Sequence, residues 1–124
     1  MKNPYYCIGG GLGHLTRAYL FLERQNALGS TLVLTQERDL PSYLRDGLCL
    51  RFVPDHMSVQ PEALGRIIHD LLVETEPDTL FLDTFPYGML GEWQHHPLRE
   101  PFQRIHTVYL ARILKMPVYH SRLT

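Results

Sequence analysis

A histidine and an aspartate carry most of the acid–base potential of this sequence. His14 stands directly behind a run in which Gly9, Gly10, Gly11 and Gly13 occupy four of five positions, and Asp83 closes the apolar stretch Thr79–Asp83. An imidazole with a carboxylate behind it is held in one tautomer and made more basic, which suits it to take a proton from a hydroxyl. The glycines suggest a second task. Lacking a Cβ, they let backbone N–H groups approach an anion closely, and a helix that starts there turns its unpaired N–H groups and positive dipole end to the same place. A phosphate or diphosphate is the natural ligand of such a loop. Read as structure alone, the run is a tight strand-to-helix turn, His14 a helix-start residue whose ring caps backbone or meets a phosphate, and Asp83 a loop or helix cap.

These residues must be placed by the elements around them. Tyr5–Gly9 reads as a first strand, and His14–Leu28 as a helix with Leu15, Ala18, Tyr19 and Leu22 on one stripe and Gly29 as its stop. Thr31–Thr35 is a second strand. Asp39 is the expected cap of a short helix with Pro41 in its first turn and Gly47 at its end. Leu48–Val53 is a third strand. Pro61 opens a helix whose stripe is Leu64, Ile67, Ile68, Leu71, Leu72 and Thr75, ended by Pro77 and Asp78. Thr79–Asp83 is a fourth strand and Phe85–Gly88 an aromatic loop. Pro101–His106 fits a helical turn and Thr107–Ala111 a fifth strand, followed by Arg112. Strands that are apolar throughout and alternate with helices predict a parallel sheet covered on both faces, a doubly wound, Rossmann-like α/β domain over residues 1–124.

Composition removes several partners. With 12 basic against 13 acidic side chains there is no basic field for nucleic acid. No apolar run approaches the roughly 18 residues of a membrane span. Met1-Lys2-Asn3-Pro4 does not read as a signal peptide, and Cys7 and Cys49 lie in apolar strand-like runs as buried thiols, so a cytoplasmic home is expected. The seven histidines show no metal-ligand spacing: His95 and His96 are adjacent, and the other five are scattered. No metal is expected. A dinucleotide site is the competing reading of the glycine run, but His14 takes the third glycine position of that fingerprint, and Thr35-Gln36 stands where an acidic residue is due, with Glu37 late. A non-catalytic interaction module is the other alternative.

The segment Gly10-Gly11-Leu12-Gly13-His14-Leu15-Thr16-Arg17-Ala18 resembles the N-terminal glycine loop of GT-B glycosyltransferases, in the branch that holds the MurG-type N-acetylglucosaminyltransferases and related predicted glycosyltransferases. Asp83-Thr84-Phe85-Pro86-Tyr87-Gly88, with Gly91-Glu92, is similar to a second signature of that group, and Val108-Tyr109-Leu110-Ala111-Arg112 to a third. The resemblance implies two Rossmann-like domains facing across a cleft, the N-terminal one holding the acceptor and the C-terminal one the nucleotide-sugar donor. It implies His14 as the catalytic or acceptor-contacting histidine, with Asp83 behind it. It implies Gly10, Gly11, Leu12, Gly13, Thr16, Arg17, Thr84, Phe85 and Arg112 as substrate- or phosphate-facing positions. No resident cofactor is implied; a UDP-sugar or similar nucleotide-sugar is a co-substrate of the complete enzyme. The chain stops near its fifth strand, so the donor domain is expected in cis, in a longer enzyme, or in trans, on a separate polypeptide, and no hexosyl transfer is expected without it.

Overall fold

The computed structural model describes residues 3–8, 11–54, 61–83, 93 and 98–110. The strands are β1 (Asn3–Tyr6), β2 (Thr31–Thr35), β3 (Cys49–Phe52), β4 (Thr79–Asp83) and β5 (His106–Leu110). They form one sheet in the order β3-β2-β1-β4-β5. All four pairings are parallel, with registers such as Tyr5↔Val33, Tyr5↔Phe81 and Leu82↔Tyr109. The helices are α1 (Gly11–Arg24), α2 (Ser42–Gly47), α3 (Pro61–Thr75) and α4 (Arg99–Arg104), with a 3-10 turn at Leu28–Ser30.

Alternation along each strand divides the apolar side chains between two cores. Tyr5, Cys7, Val33 and Leu110 pack with Leu15, Ala18 and Leu22 of α1 and Leu44 of α2. Tyr6, Ile8, Leu34, Leu80 and Leu82 pack with Leu64, Ile68, Leu71 and Leu72 of α3, with Trp93 and Leu98, and with Phe102 of α4 at the edge. Trp93 meets Tyr6 edge-on and Phe102 at a tilt, with ring centroids 6.1 and 5.6 Å away. A sheet covered on both faces has no place for polar alternation, which is why its strands are apolar throughout. This is the Rossmann-like α/β domain that the strand–helix alternation predicts. Among the described residues, no helix is long and apolar enough to cross a membrane.

Several boundaries differ from the sequence expectations, each for a local reason. β1 starts at Asn3, whose side-chain oxygen accepts from the backbone N–H groups of Asp78 and Thr79, both at 3.2 Å, and so ties the strand start to β4. The first helix starts three residues before His14 and ends before Gly29. Asn26 stops it in the left-handed region at φ 54°. Ala27 N–H then reaches Leu22 C=O at 2.8 Å and Asn26 N–H reaches Glu23 C=O at 3.0 Å, the paired closure that asparagine can also serve. Glu76, at φ 44°, ends α3 similarly, one residue before Pro77. Asp39 does not cap α2: the cap position is Pro41, and no side chain bonds there. α4 begins at Arg99, so Pro101 lies within the first turn, where its missing N–H costs nothing. The expected loops at 55–60 and 85–88 fall outside the described residues, as does the tail from Ala111 onward.

Core and surface positions of α3 should respond very differently. Ile68 is fully buried, whereas Val73, on the same helix, is 64 % exposed. Ile68→Ala is expected to cost about 2–5 kcal/mol, and Val73→Ala to change stability by less than about 0.5 kcal/mol. Denaturant titration of both variants measures the contrast.

Candidate functional site

The strand order reverses direction at β1, whose neighbours β2 and β4 lead to opposite edges of the sheet. In an open α/β sheet the crevice outside the carboxyl ends of the strands at such a point is where ligands sit. The carboxyl ends of β1 and β4, and the start of α1, all open there. Tyr5 and Cys7, two apart, point to the α1 face of the sheet. His14 and Arg17, three apart, share a face of α1. Asp83 is the last residue of β4, one position beyond the pairing Tyr6↔Leu82, which sets it alongside Cys7.

Four side chains, those of Tyr5, Cys7, His14 and Arg17, gather at the Asp83 carboxylate, whose side chain is wholly buried. The Tyr5 hydroxyl donates to Oδ2 at 2.9 Å, and Arg17 Nη1 lies 3.3 Å from Oδ1. The Cys7 Sγ, a His14 ring nitrogen and an Asp83 oxygen all lie within 4.8 Å of one another. Cys7 and Asp83 are buried and His14 is half-buried. Burial, and then the charge and hydrogen bond of Asp83, push the Tyr5 phenol well above the usual tyrosine range. Tyr109, on β5, is raised by burial and by Asp83, while Arg17 opposes the shift.

The glycine run is placed differently from a simple loop. Gly11, Leu12 and Gly13 form the first turn of α1. That keeps their N–H groups free of intrahelical obligation while aligning them with the helix axis. A Cβ added at Gly13 would meet nothing within 4 Å, and Leu12 is 45 % exposed. Glycine in a helix costs about 1 kcal/mol relative to alanine, and no neighbour here demands it. Among the described residues, nothing packs over Gly13.

Of the positions singled out in the sequence, His14, Arg17 and Asp83 come together. Gly11, Leu12 and Gly13 line the start of the same helix. Thr16 turns away: its Oγ1 lies 3.1 Å from the Tyr43 hydroxyl of α2, on the rim. Gly10, Thr84, Phe85 and Arg112 lie outside the described residues. Arg17, expected to face substrate, has an ion pair with Asp83, and its side chain keeps 29 % exposure. Tyr5 and Cys7, expected only as strand residues, also belong to the cluster. Their spacing of two and the His14–Arg17 spacing of three were the available signals, but only the fold joins them to Asp83. At the end of β2, the position of an acidic ribose ligand in a dinucleotide site is held by buried Thr35, whose Oγ1 accepts from the Glu37 backbone N–H at 3.1 Å.

No family model matches this chain, and no curated protein matches it. The cluster at the β1–β4 crevice therefore has to be interpreted from its own chemistry.

The Tyr5–Asp83 bond gives a pH signature. The phenol holds its proton more tightly when folded, so its contribution is complete below the ordinary tyrosine value of 10.0 and is lost as pH rises above it. Tyr5→Phe, which removes a donor from a buried carboxylate, is expected to cost about 1.5–3 kcal/mol near neutral pH and to flatten the alkaline decline of stability. Denaturant midpoints across the alkaline range, compared with Tyr109→Phe, check the slope.

Proposed function

We propose that this chain is the acceptor-side, N-terminal domain of a nucleotide-sugar-dependent GT-B glycosyltransferase. The observation that carries the reading is the meeting of His14 and Asp83 at the crevice beside the glycine-rich start of α1. The resemblance of the Gly10–Ala18 segment adds the reaction class.

In this reading an acceptor hydroxyl lies against the His14 ring. His14 takes its proton as the hydroxyl oxygen attacks the anomeric carbon of the sugar. The bond from that carbon to the nucleotide phosphate breaks, and the diphosphate leaves with its electron pair. A neutral imidazole is required, and the N-terminal end of α1 disfavours the protonated ring. The carboxylate within 4.8 Å supplies the opposing field that stabilises the imidazolium once formed. Tyr5 and Arg17 hold that carboxylate in place. The first-turn N–H groups of α1 face the negative charge of phosphate. The donor nucleotide binds to a second domain, in cis or in trans, whose approach closes the cleft.

His14→Ala is expected to lower kcat by about 10²–10⁴-fold while leaving the denaturation midpoint nearly unchanged. Gly13→Ala is expected to raise KM by placing a methyl group over the open turn, with folding stability equal or higher by up to about 1 kcal/mol. Both are measured with uridine-linked sugars in the presence of the donor half. Full turnover by His14→Ala would remove the base from this site, and turnover by residues 1–124 alone would remove the need for a second half.

A further inference from the structure

We propose that Cys7, His14 and Asp83 form a binding site for one divalent transition-metal ion of the zinc type. The three donor atoms come from the end of β1, the first turn of α1 and the end of β4, and they lie within 4.8 Å of one another. Thiolate, imidazole and carboxylate are the donors that zinc takes, and three protein ligands leave a fourth position open.

Geometry and charge both bear on the fit. The bond lengths of tetrahedral zinc put its donors about 3.3–3.7 Å apart. Closing the cluster onto an ion therefore needs a contraction of about 1 Å, shared among the Cys7, His14 and Asp83 side chains. The carboxylate has four lone-pair positions, and the contacts with Tyr5 and Arg17 use one on each oxygen. Ligation releases the Cys7 thiol proton to solvent. The resulting thiolate and the Asp83 carboxylate together neutralise the dication, which lets the Arg17 guanidinium remain beside the far side of the carboxylate. Tyr5 and Arg17 then serve as outer partners that orient a ligand, a role whose loss costs metal sites about 10–100-fold in affinity.

The site shares His14 with the proposed general base, and one nitrogen cannot hold a metal and accept a proton at once. Metal binding is read without turnover, so either reading can fail while the other stands.

The test is titration of chelator-treated protein with Co²⁺ and then Zn²⁺. One equivalent of Co²⁺ should produce a thiolate-to-cobalt charge-transfer band, which one equivalent of Zn²⁺ should abolish. The band should be lost in Cys7→Ser and kept in Cys49→Ser. Affinity should fall at least about tenfold in Tyr5→Phe. Should Cys7→Ser not fold, alkylation of the wild-type protein decides: zinc should protect Cys7 and leave Cys49 reactive. Absence of the band with the wild type, retention of the band in folded Cys7→Ser, or equal alkylation of Cys7 with and without zinc each overturns the site.

Discussion

A carboxylate buried at the end of a central strand is costly unless its charge is answered, and the arrangement around Asp83 is that answer. The Tyr5 hydroxyl and the Arg17 guanidinium each engage one of its oxygens. Such a group punishes loss of a partner far more than it rewards the pair itself. Its presence therefore constrains three elements together: β1 must bring Tyr5 alongside β4, α1 must lie with Arg17 toward the sheet, and β4 must end at Asp83. A leucine at position 83 would pack more simply. A charge retained at this place, at the crevice of a parallel sheet, is the kind of local inconsistency expected where a domain does its work.

The sheet order makes that concentration of chemistry possible. Because β1 is flanked by β2 and β4, the helix after β1 crosses over one face while the chain leading to β4 covers the other. The carboxyl ends of β1 and β4 lie side by side between them. The first turn of α1 overhangs the same gap, with glycines where side chains would fill it. Apolar packing supplies the rigidity on both sides: Tyr5 stacks on Phe81 at 5.9 Å beneath the site, and Trp93 braces Tyr6 on the opposite face. The cluster thus stands on packed strand ends, with His14 as its half-buried member.

Electrostatics then divides the cluster into roles. The phenol of Tyr5 is held neutral by burial and by its acidic neighbour, so it donates to Asp83 and takes no part in proton exchange near neutral pH. Arg17 carries permanent charge. The proposed proton uptake at His14 and the proposed metal site both draw on this one imidazole, beside the buried Cys7 and Asp83.

Periodicity along the chain was enough to determine the class of fold. Continuous apolar strands such as Thr31–Thr35 and Thr79–Asp83, alternating with the α3 stripe from Leu64 to Thr75, have few arrangements other than a covered parallel sheet, because each element must bury its own apolar face. That a helix starts about the glycine run was also legible, since closely spaced glycines after an apolar strand are a local signal, although α1 begins within the run, at Gly11. Helix ends were less so: Asn26 and Glu76 stop their helices in the left-handed region, a conformation that follows from backbone closure rather than from residue type. What only the tertiary structure decided is the company that Asp83 keeps. Tyr5 and Asp83 are separated by 78 positions, and nothing in their spacing announces a hydrogen bond. Strand β4 inserts beside β1 instead of continuing past β3, and that choice rests on how two cores divide across the sheet, a property of the whole chain that no window of sequence contains.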